Sequence, residues 1–191
     1  MKEKKKINKT RVVLIFWLIA SIILTCISLP LYIKNPDNKH IKNFLLVSLL
    51  LLWNFWIRVI SGLIFTAFTY NPESRWFKIN DTDRKWHNFI KVKKWIQHAP
   101  TFNPKQYDSK TLTLDEIIQN TCRNEVSHIM YFIETYMGIL LSLYFGNYLL
   151  TIIVAITVSI HDIFLISLQR FSRDRLNKLN KRMKRTQAKT S

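Results

Sequence analysis

Four long apolar blocks decide what this chain can fold into. A helix needs about 20 predominantly apolar residues to cross a bilayer. Residues 12–33 supply such a run with no charge, 44–70 one with only Arg58, 126–145 one with His128 and Glu134, and 148–168 one with His161 and Asp162. Inside hydrocarbon a backbone must satisfy its own hydrogen bonds, which a helix does within one segment. The expected fold is therefore an all-α integral membrane protein with four transmembrane helices. It forms a single membrane domain over residues 1–191, with a long loop at 71–125 and a basic tail at 169–191.

A formal net charge of +17 would ordinarily suggest nucleic acid. Here the charge follows the membrane map instead. Lys2, Lys4, Lys5, Lys6, Lys9 and Arg11 precede the first block, and Lys and Arg crowd the 71–125 loop. Another basic run, from Arg170 to Arg185, follows the last block. All three regions fall on one side of a four-pass bundle, opposite the short 34–43 loop and the Gly146-Asn147 turn. The positive-inside rule puts that basic side, with both termini, in the cytoplasm, and anionic lipid adds attraction. The first block is longer than a signal-peptide core and lacks a small-x-small exit, so it is expected to stay as a helix. Cys26 and Cys122 lie on opposite sides of this map, which argues against a disulfide and against a cysteine metal site.

Pro30 is expected to break or end the first helix, and Asn35-Pro36-Asp37-Asn38 to form a turn. In the long loop, Trp76, Phe77, Trp86, Phe89 and Trp95 alternate with basic residues, a composition suited to the headgroup zone. It predicts an amphipathic helix lying at the interface over about residues 83–97, ended by His98-Ala99-Pro100. Thr113-Leu-Asp-Glu116 is a capping box that should start a helix. With no Gly or Pro between Leu114 and Met137, that helix is expected to run unbroken through Glu125 and His128 into the membrane. The tail after Leu179 is expected to fray in water.

Ionisable groups inside a bilayer are costly and tend to be paired or functional. Glu125 and His128 are three residues apart and share a helix face. They form a candidate base with its orienting carboxylate at the water line, or else a plain surface pair. Arg58 and Glu134 suit a structural ion pair. The short turn between the last two blocks makes their helices antiparallel neighbours. Glu134, His161 and Asp162 are thus expected at similar depth, in one supporting polar cavity. Glu-x-x-His occurs once, at Glu125/His128, where di-iron bundles carry it twice, and no Cys/His cluster exists, so no metal is expected. Three glycines leave no phosphate-cradling loop, and no cofactor is expected.

The run Phe89-Ile-Lys-Val-Lys-Lys-Trp95, the Glu125-Val-Ser-His128 motif and Gln169-Arg-Phe-Ser-Arg-Asp-Arg-Leu176 resemble, in that order, the glycosyl-4,4′-diaponeurosporenoate acyltransferase family. These are small bacterial membrane proteins of staphyloxanthin-type carotenoid biosynthesis. The resemblance extends over about residues 76–179. Phe171, Ser172 and Asp174 stand where the family pattern has Tyr, Asn and Pro. Asp162 and Phe164 stand where Asn and Pro are expected. Residues 1–36 resemble an additional helix.

The resemblance implies transfer of a fatty acyl group to a sugar hydroxyl of a glycosylated carotenoid or related glycolipid in the bacterial plasma membrane. Such a reaction needs a base for the hydroxyl proton, which assigns His128 as catalytic with Glu125 behind it. Lys93, Lys94, Trp95, Arg170, Arg173 and Arg175 are the candidates for holding an acyl-CoA or acyl-carrier-protein donor. Two other readings stand beside it: a non-catalytic four-helix assembly partner, and a small transporter subunit using Arg58, Glu134 and Asp162 as a proton path.

Overall fold

The computed structural model describes residues 9–96 and 104–190. Every regular element in them is helical: α1 (Lys9–Lys34), α2 (Lys39–Thr66), a 3₁₀ turn (Arg75–Phe77), α3 (Asp81–Phe89), α4 (Val92–Trp95), a second 3₁₀ turn (Pro104–Tyr107), α5 (Leu114–Met137), α6 (Ile139–Phe145) and α7 (Tyr148–Thr190). Four stretches are long and apolar enough to span a membrane: Ile15–Lys34, Lys39–Thr66, Leu114–Phe145 and Tyr148–Lys189. The chain is a multi-pass membrane protein. Its outer surface is a belt of exposed Ile, Leu, Phe and Trp, as lipid contact requires.

The antiparallel α5–α7 pair is the centre of the bundle. α2 lies against α5, and α1 packs on α2 at the periphery. The hairpin closes at Gly146, whose φ of 74° is cheap only for glycine. At this end Leu45, Leu46, Leu50 and Phe145 form the apolar core. α1 is held by small polar residues that let the helices approach, with Ser28 and Ser48 sharing a 2.8 Å hydrogen bond.

The capping box forms as expected. Thr113 N–H donates to Glu116 at 2.8 Å and Glu116 N–H donates to Thr113 Oγ1 at 3.3 Å, and α5 then runs unbroken to Met137. Three expectations are corrected. Pro30 sits inside α1, which continues to Lys34, because neighbouring groups and local adjustment re-satisfy a freed carbonyl in membrane helices. The expected 83–97 helix is two pieces, α3 and α4, parted at Lys91 with φ 52°. α3 starts from its own Asn80–Asp83 capping box and docks on α7, with Trp86 Nε1 donating to Ser167 Oγ at 2.8 Å. The tail does not fray: α7 stays helical to Thr190, tied to the start of α5 by Lys184–Asp115 at 3.2 Å. His98 and Pro100 lie outside the described residues.

Candidate active site

Glu125, His128, Tyr131 and Glu134 follow one another at three-residue steps that wind round α5, and each meets a different part of the bundle. His128 Nδ1 lies 3.1 Å from Asp162 Oδ1 on α7. Asp162 is fully buried and receives a two-pronged contact from Arg58 of α2, Nη1 to Oδ1 at 2.8 Å and Nη2 to Oδ2 at 2.5 Å. The Tyr131 ring stands edge-on to the imidazole at 5.2 Å between centroids. It also lies under the Arg58 guanidinium at 5.0 Å, a cation–π contact that helps hold the charge in a dry setting. Three helices are thus joined by an Arg58–Asp162–His128 chain. His128 Nε2 has no hydrogen-bond partner among the described residues.

A second cluster lies one turn nearer the α5 N-terminus. Glu125 is buried, with Oε1 2.7 Å from Arg170 Nε and Oε2 against Arg173 Nη1. Arg173 is buried too, and donates to the Phe77 carbonyl at 2.9 Å through Nη2. Arg170 reaches onward to Asp83 of α3 at 2.9 Å. This network ties the long loop to α5 and α7. Beside it, Tyr107 donates to Gln169 Oε1 at 3.1 Å and accepts from Asn124 Nδ2. Burial pushes the Tyr107 hydroxyl above its ordinary range.

The geometry redistributes the partners read from the sequence. Glu125 does not orient His128. Spacing on one helix face brings both side chains to the same side, but α7 supplies the nearest opposite charges, and those are Arg170 and Arg173 for Glu125 and Asp162 for His128. Arg58 pairs with Asp162 rather than Glu134, whose Oε1 instead accepts from Ser61 Oγ at 2.6 Å. The expected depth match also shifts. The 3.1 Å contact sets Asp162 opposite His128, not opposite Glu134. His161 turns outward, its side chain 59 % exposed and its Nδ1 3.9 Å from Asp162. Lys93, Lys94 and Arg175 are exposed. The Trp95 side chain lies outside the described residues.

The role of Asp162 toward His128 was not legible from spacing, although an Asp buried mid-helix was a signal that it needed partners. The Asn80–Asp83 box that positions α3 was legible as Asn-x-x-Asp before an aromatic run, and sequence reasoning missed it. No cluster of three or more His, Cys, Asp or Glu suited to a metal occurs among the described residues.

The fold defines a multi-pass helical membrane protein, and its His128–Asp162 pair is the candidate site. Residues 69–182 match the family model described as glycosyl-4,4′-diaponeurosporenoate acyltransferase. The match covers more than half of the chain, and the chain belongs to that family of membrane acyltransferases of carotenoid biosynthesis. α5, α6, the loop from residue 69 and α7 as far as Arg182 lie within it. α1 and α2, and with them Arg58, lie outside. No curated protein and no solved structure gives a match.

Proposed function

We propose that the protein transfers a fatty acyl group from a thioester donor to a sugar hydroxyl of a glycosylated carotenoid or related glycolipid, with His128 as the general base. The observation that carries this is the His128–Asp162 contact within a family of acyltransferases. Asp162 keeps the proton of the neutral imidazole on Nδ1, which leaves the Nε2 lone pair free, and it stabilises the imidazolium that forms. The sugar hydroxyl attacks the thioester carbonyl as Nε2 takes its proton. The tetrahedral intermediate then collapses, the C–S bond breaks, and His128 returns the proton to the leaving thiolate. A new ester C–O bond and a free thiol result. Both substrates are amphiphiles, so a base near the membrane surface reaches their polar ends while the chains stay in lipid.

Glu125, Arg170 and Arg173 serve as the clamp that sets α5 against α7 and the loop. Exposed Lys93, Lys94 and Arg175 are the residues offered to the phosphate of the donor. The site opens to the cytoplasm, with both termini on that side. Reporter fusions at Asn38 and Ser191 test this orientation, and an extracytoplasmic Ser191 would overturn it.

The catalytic reading is tested by His128→Ala and His128→Gln, compared with the parent at equal membrane abundance. The readout is the mass of acylated glycolipid in cell extracts. General acid–base catalysis is worth about 10²–10⁴-fold, and both variants should lose at least that order. Near-parental accumulation in His128→Ala would remove the histidine from the mechanism.

A further inference from the structure

We propose that the end of α7 beyond the membrane is the docking surface for an acidic carrier protein that brings the acyl group as a thioester. The inference rests on the acyltransferase reading and on its orientation, and it names which donor that reading uses.

Arg175, Lys178, Arg182, Arg185 and Lys189 recur at helical spacing, and at 3.6 residues per turn they fall within a sector of about 80°. They make one basic stripe along α7. The lysines between them are used differently. Lys184 turns to Asp115 at 3.2 Å and Lys181 to Glu73 at 3.5 Å, so that side of the helix faces the protein's own acidic residues. Within the stripe Lys178 meets Asp174 one turn back, whereas Arg182, Arg185 and Lys189 form no ion pair among the described residues and are exposed. The stripe points away from the rest of the molecule.

Membrane lipid is the ordinary partner of such a stripe, but the fold argues against it. No Gly or Pro interrupts α7, and Asn180 and Lys184 both hold Asp115, so the helix has no bend that would lay it on the bilayer. At 1.5 Å per residue, residues 182–189 stand about 20–30 Å beyond Gln169. Attraction to an anionic surface fades within a Debye length of about 8 Å. The charge is therefore placed where it meets a molecule in solution. Leu179, about half exposed, lies beside Arg175 and Arg182 and gives a protein partner an apolar contact that a free phosphate would not use. A thioester on a flexible arm from such a partner could be handed down past Arg175 toward the site.

The test uses the full chain in discs of zwitterionic lipid and, as probe, a fluorescently labelled bacterial acyl-carrier protein charged with a hexadecanoyl thioester. Binding to the parent should be measurable and should weaken with salt. Arg182→Glu/Arg185→Glu/Lys189→Glu should weaken it by about tenfold or more with little remaining salt dependence, and the corresponding triple Gln variant by less. His128→Ala should bind as the parent does while losing acyl transfer, so a failure of docking and a failure of the catalytic reading are separable. Equal binding by the parent and both triple variants, each shown to be helical and monodisperse, would overturn the proposal. So would a parent that ignores the carrier but binds phosphatidylserine vesicles, or a labelled RNA oligonucleotide, through the same three residues.

Discussion

Asp162 serves two helices with one carboxylate: its Oδ1 accepts from Arg58 Nη1 at 2.8 Å and meets His128 Nδ1 at 3.1 Å. The charge of Arg58 and the orientation of His128 therefore depend on the same group. Removing that group at once unseats the imidazole and strands a guanidinium inside the bundle.

These two consequences can be separated. Asp162→Asn alone should lower thermal stability by about 3–5 kcal/mol, because Arg58 keeps its charge and loses its counter-charge. Asp162→Asn/Arg58→Gln removes both charges yet keeps an acceptor for the Nδ1 proton. Its acyl transfer should still fall by about 10²–10⁴-fold, because a neutral amide neither stabilises the imidazolium nor fixes the Nδ1–H tautomer. Asp162→Ala/Arg58→Gln has no acceptor and should fall by about 10²–10⁴-fold. A near-parental rate in Asp162→Asn/Arg58→Gln, measured per mole of folded protein, would disconnect the carboxylate from catalysis.

Glu125 offers the contrasting case. It is buried against a buried Arg173, so Glu125→Gln should cost about 3–5 kcal/mol in detergent unfolding experiments. The folded fraction should keep its rate within about tenfold, far above His128→Ala. A loss matching His128→Ala at unchanged stability would return Glu125 to the orienting role that its spacing first suggested.

What could be read in advance follows from how far each signal reaches along the chain. Hydropathy and the Thr113–Glu116 box are local, and they located the four spans and the start of α5. The partner of His128 is not local. A shared face on α5 says that Glu125 and His128 look the same way, but which charges of α7 stand opposite depends on where the hairpin closes and how far the helices stay packed. Expecting Asp162 at the depth of Glu134 misplaced it by somewhat under two turns of α5. The tail was expected to fray as an exposed terminus, whereas Lys184 and Lys181 on one side of it pair with Asp115 and Glu73 of other segments.

The loop should respond to pH through His87. This residue is buried on α3, edge-on to Phe171 of α7 at 5.6 Å, and faced by Asp83, Arg170 and Asp174. Burial pushes its imidazole below the ordinary value of 6.5, against the pull of Asp83. In the undocked loop the ring takes a proton near 6.5, while the docked ring resists it. The undocked state then binds more protons, and docking is fully stable above that range and weakens as the pH falls through it. Amide exchange in α3, corrected for intrinsic rates, should be faster at about pH 5.5 than at about pH 7.5. His87→Phe should flatten the difference. Greater protection on acidification would mean that the facing carboxylates dominate the ring.

Gly62 sets the position of Tyr131, and through it the packing around His128 and Arg58. A Cβ added at Gly62 would lie 2.6 Å from the Tyr131 hydroxyl oxygen but 3.8 Å from the ring carbon that bears it. Only the hydroxyl is in the way. The ring cannot swing freely to make room, since it is edge-on to His128 and beneath Arg58. Gly62→Ala should therefore destabilise the bundle by about 1–3 kcal/mol, the usual cost of overpacking, and should lower acyl transfer by displacing Tyr131 from the imidazole. Tyr131→Phe deletes the obstructing oxygen and keeps the ring, so alone it should cost less than Gly62→Ala. Combined, the two substitutions should give a protein more stable and more active than Gly62→Ala alone, a non-additive result expected only of residues in contact. Strict additivity in both unfolding temperature and rate would show that Tyr131 does not stand against Gly62 in the folded protein.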